Sequence, residues 1–191
     1  MVCGVGINDA NYAVAPRING KSVLCPAYKA WASMLSRCYS EKYLRKNNTY
    51  TGVTVCKEWH SFMSFREWWL ENHVDGWQLD KDILSDNREY SPENCLYVPG
   101  WINSFLVDCG ASRGDYPIGV HFVNDMGRFR AECCNAITGR SEHIGYFSSD
   151  IEANEAWRKR KLEIAFMRKT DMDMVDKRIY NRIIFYIMTM S

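Results

Sequence analysis

The chain has 191 residues, with 24 Lys and Arg against 23 Asp and Glu, 47% apolar residues and 14% aromatic ones. That apolar share excludes a disordered chain, no apolar run reaches the roughly 18 residues of a membrane-spanning helix, and a net charge of +1 excludes a globally basic nucleic-acid binder, so any such footprint must be local. The length suits one domain or two small ones. The start, Met1-Val2-Cys3-Gly4-Val5-Gly6, lacks the basic flank and apolar core of a signal peptide, which predicts a cytoplasmic protein with reduced thiols. Eight cysteines without a C-x-x-C pair read as small apolar fillers, and the scatter of Cys25, Cys38 and Cys95 argues against a structural Zn²⁺.

Residues 1–24, rich in Gly, Asn and small side chains, read as an extended arm with a flexible Gly4-Val5-Gly6 start. Pro26 suits a first helical turn, and Tyr28, Trp31, Leu35 and Cys38 continue at helical spacing to about Tyr39. A polar loop over 40–51 leads to a short strand at Val53 and Val55. A helix over about 59–71 carries Phe62, Phe65 and Trp69 on one face. Strands are predicted over 79–84 and 94–98, flanking a polar turn at 85–88, and a helix over about 101–107 follows. Cys109 to Tyr116 is the candidate linker.

Beyond the linker the pattern alternates, predicting strands over 119–123, 128–134 and about 142–147. Ser149 with Glu152 forms a capping box that starts a helix whose apolar side is Ala153, Ala156, Trp157, Ile164 and Met167. Its basic run, Arg158 to Lys161, is a solvated face that could steer a phosphate backbone. The apolar tail from about 179 to 188 predicts a helix docking on the body or on another chain, either a second copy or a host protein. Residues 111–170 carry 10 basic and 8 acidic side chains, a modest local surplus.

Two constellations carry chemistry. In the first, two strands and a helix could bring Asp80 near Asn103. A carboxylate and an amide oxygen facing each other form a hard-oxygen pocket suited to Mg²⁺ or Mn²⁺, which would polarise a phosphodiester. The string Leu79-Asp80-Lys81-Asp82-Ile83-Leu84, with Tyr90-Ser91-Pro92-Glu93-Asn94-Cys95 and Asn103, resembles the HNH (ββα-metal) nuclease family, especially its phage and mobile-element members. The resemblance implies that Asp80 and Asn103 hold one divalent ion and that Asn94 orients the loop. Lys81 stands where the family has its general-base His. An ammonium is a poor base, so Lys81 is read as a phosphate-binding cation, with His60, His73 or a metal-bound hydroxide as the base. The bland alternative is that Asp80, Lys81 and Asp82 form an ordinary polar turn.

In the second, Phe129, Ala131 and Cys133 face the helix, and Arg128, Arg130, Glu132 and Cys134 face outward with His121 and His143. Such a sheet can enter a DNA major groove. Gly119-Val120, Gly127-Arg128-Phe129-Arg130-Ala131-Glu132, Ile144-Gly145-Tyr146-Phe147 and Ala156-Trp157 resemble an AP2-type DNA-binding domain. The resemblance implies His121, Arg128, Arg130, Glu132 and His143 as DNA-facing residues. Cys134 and Ser141 replace family arginines, which weakens the expected affinity. The expected whole is an α+β protein: an arm (1–24), an HNH-like core with flanking helices (25–108), an AP2-like three-stranded antiparallel sheet plus helix (114–168) and a tail (169–191). Its expected partner is double-stranded DNA and its expected reaction is metal-dependent cleavage. The rival is a catalytically inactive HNH-derived protein that binds DNA or a host factor.

Overall fold

The computed structural model describes residues 1–105 and 115–190; the expected linker falls largely outside them. The fold is α+β, and it divides into two compact units, Met1–Tyr97 and Val98–Ser191. The helix after the second predicted strand therefore belongs to the second unit, not the first.

The first unit is built around α1 (Pro26–Tyr39) and α3 (Phe62–Asn72). Pro26 supplies its fixed φ at a position where no intrahelical N–H is needed. Ala27, Trp31, Met34, Leu35 and Cys38 then bury one stripe of α1. The Trp31 indole N–H donates to the Trp59 carbonyl at 2.7 Å, so a buried polar ring edge is satisfied. Trp31 and Tyr28 pack on Phe62 with centroids 5.5 and 5.1 Å away. Trp59 packs edge-on against Phe65. Ser61 caps α3 by accepting the Ser64 N–H at 3.1 Å. The helix predicted from Trp59 thus begins at Phe62, and Lys57–His60 forms a 3₁₀ turn before it.

Residues 1–24 are not a detached arm. Gly6 is buried, and a Cβ there would lie 2.3 Å from Leu35 and 2.8 Å from Trp31, so only glycine fits beneath that pair. Asp9 accepts the Ser61 hydroxyl at 2.6 Å and the Met63 N–H at 2.9 Å, tying the segment to the start of α3. Asn19 and Gly20, both at positive φ, turn a hairpin between β1 (Arg17–Ile18) and β2 (Lys21–Ser22). The predicted 40–51 loop contains α2 (Glu41–Leu44) and a 3₁₀ turn at Asn48–Tyr50. β3 (Thr54–Val55) pairs in parallel with β5 (Glu89–Tyr90), a long-range pairing that alternation does not signal. β4 (Gln78–Asp80) pairs with β6 (Leu96–Val98). β4 stops at Asp80 instead of running to Leu84, because the Asp80 side chain bends the chain there.

In the second unit, α4 (Gly100–Asn103) precedes an antiparallel sheet in the order β7 (Val120–Val123), β8 (Arg128–Asn135), β9 (Arg140–Phe147). Gly127 and Gly139, at positive φ, close its two connections. α5 (Asp150–Met167), capped by Ser149, packs on the sheet through Ala153, sets Trp157 against Gly119 and buries Ile164 as well. Met167, expected on that side, is 58% exposed, and Ala165 is buried instead.

In the basic run on α5, Lys159 is exposed, but the other three residues are not a solvated face. Arg158 donates to Asn154 and to the Met188 and Met190 carbonyls, and Arg160 pairs with Glu142 at 2.8 Å and with Glu163 at 2.9 Å. Lys161 is only 4% exposed. The tail forms α6 (Lys169–Val175) and α7 (Lys177–Thr189), and Ile179, Ile183 and Ile187 bury one stripe of α7 within this unit. No helix among the described residues is long and apolar enough to cross a membrane.

Candidate functional site

Asp80 ends β4 and is 8% exposed. Its Oδ1 accepts the N–H groups of Asp82 and Ile83, both at 2.8 Å, closing a tight Asx turn. Burial raises the Asp80 pKa, and the two backbone donors oppose that rise. The pairing of β4 with β6 sets Asp80 beside Cys95, whose thiol is pushed up by burial first and by the Asp80 charge as well.

Lys81 is buried, bonded to Asp82 Oδ1, and lies 5.7 Å from the Tyr90 ring centroid and 6.0 Å from that of Tyr50. Its charge is therefore held by a carboxylate and two π-faces. Asn94 donates from Nδ2 to the Glu89 carbonyl at 3.2 Å, bracing the 89–94 loop across its own chord. Asn103 ends α4 in the second unit, while Asp80, Lys81 and Asn94 belong to the first.

Neither proposed histidine base is a bare surface group. His60 carries a buried Nε2 without a partner among the described residues and meets Tyr39 edge-on at 6.2 Å. His73 stacks on Trp69 at 4.1 Å and stands 3.8 Å from Asp75. Among the described residues, no three His, Cys, Asp or Glu side chains gather as a metal-binding group. Cys38 and Cys56, in the core, are pushed up to about 12 and about 11 by burial, which keeps them as thiols.

The second candidate surface is the outer face of the β7-β8-β9 sheet. Cross-strand register sets His121 opposite Arg130 and Arg130 opposite Tyr146, making a three-residue row. Glu132 stands opposite His143, and Cys134 opposite Ser141. The outward positions read from alternation thus share one face. A register shift between Ala131 and Glu132 breaks the alternation of β9, so the outward residue after His143 is Tyr146 and not Gly145. Tyr146 was missed for that reason, since a bulge leaves no mark in a period-two pattern.

Electrostatics on this face are not uniform. Arg130 Nη2 pairs with Glu132 Oε2 at 2.7 Å, and the Ser141 hydroxyl donates to Glu132 Oε1. Both Glu132 oxygens are thus engaged within the face. Arg128 is exposed at its edge, and His143 packs on Tyr146 with centroids 4.8 Å apart. Both side chains of this pair are half-buried, 39% and 26% exposed.

A search of protein-family models, of curated proteins and of solved structures found no match to this chain.

Proposed function

We propose that the protein binds double-stranded DNA through the outer sheet face and cleaves it as an HNH-type, metal-dependent endonuclease. The observation that carries this reading is the cross-strand row His121–Arg130–Tyr146, flanked by Arg128 and His143, on a face turned away from α5. Arg128 and Arg130 would reach guanine edges or phosphates, His121 and His143 phosphates, and Tyr146 sugar or base. Glu132 would orient Arg130 rather than read a base, because its oxygens are already engaged.

In the nuclease reading, Asp80 would be a ligand of one Mg²⁺ or Mn²⁺. The Asx turn uses Oδ1 of Asp80 for both backbone donors, so Oδ2 takes no part in it and suits a hard cation. A cation would also offset the cost of a buried carboxylate. Asn94 braces the neighbouring loop, and Lys81, held by Asp82, would contact phosphate with its remaining ammonium donors. When bound, the ion would stabilise charge on the leaving oxygen.

The second reading is a catalytically inactive DNA- or host-factor-binding protein. What favours it is that Lys81, in the general-base position, is buried and paired to Asp82. Plasmid nicking with Mg²⁺, compared between the parent and Asp80→Asn, decides between them. Cleavage by the parent alone supports the nuclease. Salt-dependent duplex binding without cleavage supports the DNA binder, and no duplex binding at low salt sinks both DNA readings and leaves only the host-factor binder.

A further inference from the structure

β7 pairs with β8 only up to Val120 opposite Ala131, yet β8 runs on to Asn135. Beyond the last bridge, where the Glu132 N–H donates to the Gly119 carbonyl at 2.9 Å, that edge of β8 has no neighbouring strand among the described residues. A pocket of about 260 Å³ opens there. Gly119 lies against the Trp157 ring, where a Cβ would come within 2.0 Å of it, and the ring lines the pocket. Phe105 supplies a second aromatic wall.

Lys161 reaches into this space. Its ammonium donates to the Phe105 carbonyl at 2.7 Å and to the Cys134 carbonyl at 3.4 Å, and it sits 4.2 Å from the Phe105 ring centroid. Among the described residues its third donor has no acceptor and no carboxylate pairs with it. Glu132, the acid lining the same pocket, is engaged by Arg130 and Ser141. A buried ammonium without a counter-charge is costly, and burial indeed lowers the Lys161 pKa.

We propose that this pocket binds a small organic monocarboxylate with a flat apolar body, the Lys161 ammonium acting as its counter-ion. The ring walls of Trp157 and Phe105 take the apolar body, and the third ammonium donor takes a carboxylate oxygen. One ammonium balances one charge, whereas a phosphate dianion would leave a second charge near Glu132. The site borders the DNA-reading row at His121 but does not depend on DNA binding.

The test is calorimetric and NMR titration of the full chain with benzoate, with benzyl alcohol and inorganic phosphate as separate arms. Saturable benzoate binding is expected, weakened at least tenfold by Lys161→Met, with no saturable binding of benzyl alcohol. Cys134→Phe, an exposed position at the pocket, is expected to block benzoate while leaving the fold intact, and it decides the matter if Lys161→Met does not fold. Absence of saturable benzoate binding overturns the proposal. So does equal binding of benzyl alcohol, tighter binding of phosphate, or full retention of benzoate binding in a folded variant.

Discussion

The Asp80 carboxylate and the Ile83 amide, three residues apart, are joined by a 2.8 Å hydrogen bond that ends a strand and folds the following chain into a turn. The same oxygen takes the Asp82 amide. A side chain proposed to grip a cation is thus also a structural acceptor, and the two roles separate by substitution.

Asp80→Ala leaves two amides without their acceptor, a loss of about 1–3 kcal/mol per group where water cannot replace it. Asp80→Asn keeps an Oδ1 acceptor and removes the charge. Chemical denaturation at pH 7 is expected to find the alanine variant clearly destabilised and the asparagine variant close to the parent. Under the nuclease reading, neither cleaves DNA.

The pH dependence follows from the raised Asp80 pKa. The native state holds this proton more tightly than the unfolded chain does. The resulting stability is fully present below the unfolded value, near 3.8, and is lost as pH rises through the higher folded value. Asp80→Asn is expected to flatten this part of the stability curve, measured by urea midpoints from pH 3 upward. Mg²⁺ is expected to stabilise the parent at neutral pH and to leave Asp80→Asn unmoved.

Glu132 holds Arg130 in place at 2.7 Å. Removing the acid while keeping its shape, in Glu132→Gln, is expected to tighten non-specific duplex binding at low salt, because a competing negative charge is gone. Arg128→Gln and Arg130→Gln should each weaken binding and lower the slope of log K against log salt by about 1 for a lost phosphate contact. Fluorescence anisotropy over a salt series reads both effects; unchanged slopes in both arginine variants would remove the sheet face as the DNA surface.

Gly119 adopts φ +78°, and a Cβ there would collide with Trp157. Gly119→Ala combines a left-handed backbone cost of about 1–2 kcal/mol with overpacking of about 1–3 kcal/mol. A fall in melting temperature of many degrees is expected, with loss of Trp157 packing visible in near-UV circular dichroism.

Arg158 donates to the Met188 and Met190 carbonyls at the C-terminal end of α7. These charge-assisted bonds to exposed helix-end carbonyls oppose fraying. Arg158→Met should raise hydrogen exchange in the last turn of α7 selectively, leaving α1 and α3 unchanged.

The local patterns were legible in the amino-acid order. Helical spacing marked Pro26–Tyr39, the capping residue Ser149 marked the start of α5, and alternation marked the three strands of the second sheet with their outward arginines and histidines. These elements are written by neighbours within a few residues, which is where side-chain periodicity and capping act. What required the tertiary structure depends on residues far apart in the chain. Examples are the parallel pairing of Thr54–Val55 with Glu89–Tyr90, the seating of Gly6 under Trp31 and Leu35, the bulge that turns Tyr146 outward, and the burial of Lys161 in an otherwise basic helix run. A single lysine in Arg-Lys-Arg-Lys looks solvated until the packed sheet and two backbone carbonyls decide that it points inward.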